Sequence, residues 1–224
     1  MSTSSITTLT EYSDSQFPTT LIFSQDNPHN CTITLDEKPI YEVRTRREIV
    51  KKLGHNDLLV TTDVFSPNGE LIASVVWHGV NSDLITWPRR GLRNAKLGRW
   101  LKKSMIPFSN NATFKDVGSK AYRWDTKGPR NQFRLLEDKS VIIAYFERAM
   151  PYVNLQPGYN YNPFPKPSQL HLSERGDEMM EEVVLSFLIV EKDRRRSDGS
   201  IENWAEGQTL MASSSANILH LAPW

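Results

Sequence analysis

From about residue 20 to residue 172 the chain alternates short apolar-rich runs with turn chemistry, the signature of strands rather than helices. Thr20–Ser24, Thr32–Leu35 and Ile40–Thr45 form a first group. Leu58–Phe65 and Glu70–Trp77 flank Ser66-Pro67-Asn68-Gly69, in which Pro presets φ and Asn-Gly tolerates the left-handed backbone of a tight turn. Asp83–Trp87, Ala112–Lys115, Lys120–Trp124, Phe133–Glu137, Val141–Glu147 and Gln169–Leu172 complete the series. Pro151–Pro167 interrupts it with a Pro-rich, aromatic loop unsuited to helix.

One segment breaks the pattern. Asp177–Arg196 has no Gly or Pro, starts with Asp177, Glu178, Glu181 and Glu182, and ends with Lys192, Arg194, Arg195 and Arg196. This polarity complements a helix dipole, and Ser197-Asp198-Gly199 is a stop. Its centre, Val183–Val190, is apolar on every side except at Ser186. A helix apolar all round has to be buried all round. With no second long helix to cover it, a curved sheet is the remaining wrapper, and closing that sheet would also remove its edges. Burying the seven large side chains would contribute ~10–20 kcal/mol before entropy is subtracted. The expected fold is mainly β: a closed or nearly closed barrel of about twelve strands around a central hydrophobic α-helix near the C-terminus.

The expected organisation is a disordered Ser/Thr-rich lead (1–18), one β domain (19–197) containing the helix (177–196), and a mixed tail (198–224) that Trp204, Leu219, Leu221 and Trp224 would tack down if it is ordered. With 27 basic and 26 acidic residues the net charge is +1, so nothing global calls for nucleic acid. The single cysteine, Cys31, excludes an intrachain disulfide and suits a reducing compartment. No secretory leader pattern opens the chain, and no apolar run approaches the length of a membrane span. A cytoplasmic protein, peripheral at membranes where it meets them, is expected.

A set of segments in this order resembles a domain of unknown function common in mushroom-forming fungi, a family placed with the tubby C-terminal-like superfamily beside plant LURP-one-related proteins and phospholipid scramblases. The segments are Leu21–Ser24, Tyr41–Val43, Ala73–His78 with Asp83, Trp100–Lys103, Thr113-Phe114, Tyr122–Trp124, Ala144–Arg148 and Val183–Arg195. The resemblance spans roughly residues 20–196 and implies a barrel of about twelve strands around a hydrophobic helix. Tubby relatives bind phosphoinositide headgroups, but no such motif maps here residue by residue. Scramblases add a membrane-spanning tail, a run this chain lacks, so scrambling is not expected.

The most informative local feature is a run of seven cations, Arg89, Arg90, Arg93, Lys96, Arg99, Lys102 and Lys103, with no acid among them and with Trp87 and Trp100 alongside. Such a cluster suits phosphate oxygens or an anionic lipid surface; the blander alternative is a solvated basic loop. A weaker basic group, Arg44, Arg46, Arg47, Lys51 and Lys52, is diluted by Glu42 and Glu48 and reads as an exposed connection. Arg194–Arg196 reads as a helix terminus. The histidines (29, 55, 78, 171, 220) show no metal spacing, and Cys31, with His29 or His55 as candidate bases, reads better as a small buried residue. No nucleotide loop, serine elbow or zinc motif is present, and Asp63, Asp83 and Asp116 are scattered, so no catalytic, metal or cofactor residues are assigned. The expected function is an intracellular binding or scaffold domain with anionic phospholipid headgroups as the leading ligand. A protein-interaction module using loop 151–167 is second, and an enzyme acting on a small or apolar substrate is third.

Overall fold

The computed structural model describes residues 14–52, 55–78, 82–105, 110–126, 131–149 and 167–197. Among these, thirteen strands form one antiparallel sheet. They are β1 (Thr19–Phe23), β2 (Cys31–Leu35), β3 (Lys38–Lys52), β4 (His55–Phe65), β5 (Leu71–Trp77), β6 (Leu84–Trp87), β7 (Leu92–Lys96), β8 (Lys102–Lys103), β9 (Ala112–Lys115), β10 (Ala121–Asp125), β11 (Asn131–Leu135), β12 (Ile142–Glu147) and β13 (Gln169–Leu172). Helices α1 (Glu174–Glu178) and α2 (Met180–Ser197) follow. The strand order is a pair of meanders, β1 to β7 and β8 to β13, joined where β1 pairs with β13 through Leu21 opposite Leu170.

Every residue from Val183 to Glu191 is buried, so α2 has no solvent face over more than two turns. The sheet meets it from both meanders. Phe187 touches Phe23 of β1 and Phe146 of β12, at ring centroid distances of 5.6 and 4.4 Å. Trp124 of β10 donates its indole N–H to Ser186 Oγ at 2.8 Å. The one hydroxyl in the apolar run thus has a buried donor, and it donates in turn within the helix to the Glu182 carbonyl at 2.6 Å. His29, in the β1–β2 connection, places Nε2 2.9 Å from the Leu188 carbonyl, an acceptor only, so the proton must sit on Nε2.

The expected helix boundary needs correction. Asp177 does not start the helix; the chain is already helical at Glu174 and breaks at Met179. Ser173 causes the early start, because its hydroxyl accepts from the Gly176 N–H at 3.2 Å while donating to the Ile143 carbonyl at 3.0 Å. This ties the turn to β12 so closely that a Cβ at Gly176 would lie 2.6 Å from the Ile143 carbonyl oxygen.

Hydrogen bonds do not close the sheet. Its edges are β7 and β8, and no ladder joins them among the described residues. The gap is spanned by side chains. Trp100 lies 5.1 Å from Trp87 of β6 and 5.4 Å from Phe114 of β9. Leu97 and Leu101 are buried beside them. Both edge strands lie inside the basic run, where alternating hydrophobicity is too weak to announce a strand. Strands β3 and β4 also run well beyond their expected ends. The hairpin at Ser66–Gly69 forms as expected, with Gly69 at φ 79°.

Of the expected disordered lead, residues 1–13 lie outside the described residues, while Asp14–Gln16 form a turn and Phe17 is buried edge-on against Tyr145 at 4.8 Å. Most of the Pro-rich loop (151–166) and the tail (198–224) lie outside them too.

Gly176→Ala should destabilise the domain by roughly 2–4 kcal/mol, since backbone rather than a mobile side chain opposes the new methyl. Urea unfolding monitored by tryptophan fluorescence measures it, and an unchanged midpoint would contradict this account of the α1–β12 contact.

Candidate functional site

The sheet divides the seven cations of the basic run into two groups. Arg89 and Arg90 follow β6 and pair with Glu181 and Glu182 in the first turn of α2. Arg90 also lies over the Trp87 ring at 5.4 Å. Lys103 in β8 reaches Asp83 at 3.2 Å and Asp193 near the other end of α2 at 2.9 Å. Burial works against its charge, yet Asp193 and Asp83 together raise its pKa above the usual lysine value. These three cations fasten the helix to the sheet.

Arg93, Lys96, Arg99 and Lys102 are exposed and make no ion pair among the described residues. Strand register extends this set in a way sequence distance concealed. Lys102 lies opposite Thr113, Thr113 opposite Arg123, and Arg123 opposite Arg134. Residues directly opposite share one face, here the outer one, because Phe114, Trp124 and Phe133 point inward. Arg123 has no ion pair among the described residues, and Arg134 donates to the Lys139 carbonyl at 2.9 Å and to Gln132. Arg123, Arg134 and Lys139 line a shallow hollow with Leu136, and Asp125 stands at the same hollow. Like charges directly opposite across a ladder oppose pairing. The outer face of β8–β11 therefore carries a cationic row that an anion would relieve.

The other candidates are occupied structurally. Burial pushes the Cys31 thiol up to about 12, and its S–H points at the Pro28 carbonyl at 3.3 Å, both of which disfavour the thiolate. His171 stacks on Tyr145 at 4.5 Å and contacts Thr20 at 3.1 Å. The His78 backbone N–H is held by Asp83 at 2.9 Å. Asp63 pairs with Arg46 at 3.3 Å, and Asp116 with Arg175 at 2.6 Å. His55 and His220 have no described side chain. No group of three or more His, Cys, Asp or Glu suited to a metal occurs among the described residues. No helix among them is long and apolar enough to cross a membrane.

Sequence reading missed a buried ion cluster at the end of α2. Glu191, fully buried, accepts from Arg194 at 2.6 Å, Arg195 at 2.8 Å and Asn131 at 2.8 Å. Burial would raise its pKa, but Arg194 and Arg195 outweigh that and hold it below the usual carboxylate range. The spacing of Glu191 three and four residues before Arg194 and Arg195 was the available signal. Beside it Lys192 sits 3.6 Å over the Trp77 ring, and burial pushes its amine down to about 8 against the pull of Asp83 and Asp193.

A family model described as a family of unknown function, DUF6593, matches residues 26–196, from the loop after β1 to the last turn of α2. The chain belongs to this family. In this DUF6593 domain the match takes in both edges of the sheet, the cationic row and the whole buried stretch of α2. No curated protein and no solved structure matches the chain.

His29 gives the domain a defined acid sensitivity. Burial pushes the ring down to about 4 from 6.5, so the unfolded chain binds the proton first as pH falls. Its contribution is complete above about pH 6.5 and declines toward pH 4, a loss of ~3 kcal/mol. Stability measured by urea unfolding across that window should fall in the parent chain. His29→Gln should be less stable at pH 7 and should lack the part of the slope due to this ring. A slope unaltered by the substitution would refute the assignment.

Proposed function

We propose that this DUF6593 domain binds anionic phospholipid headgroups through the outer face of β8–β11 and the exposed part of the basic run, as an intracellular module of the tubby C-terminal-like kind. The observation that carries the reading is the row Lys102–Thr113–Arg123–Arg134, in which cations from three strands share one face. Arg93, Lys96 and Arg99 add charge from the neighbouring segment. Cations near an anionic membrane surface contribute about 1 kcal/mol each, and Arg offers a planar fork to phosphate. The architecture supports the kinship: a helix buried on every side, met by strands from both halves of a long antiparallel meander, is what the tubby resemblance implies, with the β7–β8 gap spanned by aromatic packing. Arg89, Arg90 and Lys103 drop out of the ligand set because α2 already supplies their counter-charges.

Co-sedimentation with vesicles tests the reading. The parent chain should be retained by vesicles containing phosphatidylserine or a phosphoinositide, ignored by phosphatidylcholine alone, and released by salt. Lys102→Glu with Arg123→Glu should weaken retention about tenfold or more. Arg89→Ala with Arg90→Ala should leave retention intact while lowering Tm. Equal retention by neutral vesicles, or indifference to the charge reversals, would remove the proposal.

A further inference from the structure

The inner face of the sheet continues past the end of the helix it encloses. Along β3 and β4 the residues facing one another are Val43 and Val64, Thr45 and Thr62, Arg47 and Val60, then Ile49 and Leu58. Positions two apart along a strand point the same way, so these four pairs form one stripe. Its lower part is core: Val43 and Val64 are buried, and Val60 packs on the cluster around α2. Its upper part is bare, with Ile49 73% and Leu58 57% exposed. Neither neighbouring strand reaches this height, because β2 begins at Cys31 opposite Val43 and β5 ends at Trp77 opposite Val60. What remains is a two-stranded ribbon, an arrangement only marginally stable in water by itself. On the bare face Arg47 and Lys51 flank the apolar pair and have no ion pair among the described residues. On the opposite face Arg46 is engaged by Asp63 at 3.3 Å and Glu48 at 3.8 Å.

An apolar face flanked by two exposed cations fits an apolar, acidic occupant, and this chain carries one that leaves the helix at the same end. Lys192 lies over Trp77, the residue opposite Val60. From Lys192 to Ser197 the helix rises about 7 Å, and from Val60 to Leu58 the strand advances about 7 Å. The chain therefore emerges from α2 close to the height of the bare pair. The 27 residues that follow hold three acids, Asp198, Glu202 and Glu206, with no Lys or Arg, and include Ile201 and Trp204 close behind the helix. A second copy of the ribbon is the poorer occupant, since a face-to-face pairing would bring Arg47 and Lys51 against their own kind.

We propose that the segment following α2, around Ile201–Glu206, lies on the inner face of the β3–β4 ribbon. Its apolar side chains cover Ile49 and Leu58, and its carboxylates face Arg47 and Lys51. The ribbon is then a docking strip that the chain itself occupies, and any outside partner of the strip competes with this segment.

Zero-length carbodiimide coupling of the full chain at low salt, on an equal mixture of unlabelled and ¹⁵N-labelled protein, tests the proposal. Peptide mapping should find Lys51 joined to Glu202 or Glu206 in isotopically uniform pairs. Ile49→Ser with Leu58→Ser should leave the sheet folded, as read by circular dichroism, abolish that link, and speed amide exchange across residues 201–206 by about fivefold or more. Mixed-isotope links would assign the strip to a second copy and overturn the proposal. Absence of a link from either acid to Lys51, together with exchange unaffected by the double substitution, would overturn it equally.

Discussion

The whole structure rests on burying one helix that has no polar face. Val183–Val190 cannot meet water on any side without exposing large apolar surface, and a flat sheet covers only one side of a rod. The sheet therefore has to curve until strands from both meanders reach the helix, as β1, β10 and β12 do around Phe187 and Ser186. Directional contacts then fix what the hydrophobic effect leaves free. The Trp124–Ser186 bond and the His29–Leu188 bond set the rotation and height of the helix within its sheath. Each would leave a buried polar atom unsatisfied if the helix turned or slid.

Charge shows how much environment matters to identical residue types. Arg89, Arg90 and Lys103 face acids at the two ends of α2, so they act as fasteners, and from within the helix Glu191 reaches Asn131 of β11 and Arg195 reaches Asp26 beyond β1. Arg93, Lys96, Arg99 and Lys102 share the same stretch of chain but face solvent. What separates the groups is the position of α2, which no count of basic residues contains. The cationic row is likewise a product of register: Lys102, Arg123 and Arg134 are far apart in sequence and neighbours only because three hairpins align them.

The parts of the fold legible in the sequence were those where local physics and tertiary demand agree. The hairpin at Ser66–Gly69 is specified by its own turn residues, and α2 by its charge polarity and uninterrupted apolar centre. The parts that were not legible depend on distant partners. Strands β7 and β8 are polar edge strands that exist because β6 and β9 pair with them. The early helical turn at Glu174 depends on Ser173 reaching Ile143, thirty residues away. The upper ribbon of β3 and β4 was invisible because Arg46, Arg47 and Glu48 read as loop, whereas the ladder carries them as strand. Of the candidate surface, the basic run announced itself, but its division into fasteners and solvent-facing cations, and its extension to Arg123 and Arg134, required the register.

The pairing of β1 with β13 has a consequence for how the chain comes to be folded. The two halves of the sheet are stitched together by the first strand and the last, with Leu21 against Leu170, and the helix that fills the interior comes later still. During synthesis the earlier meander leaves the ribosome with its greasy concave side unfilled and its leading edge unmatched. Maturation therefore waits for nearly the last residue of the domain, a long-range closure of the sort that makes β-rich chains slow to fold and dependent on protection while nascent.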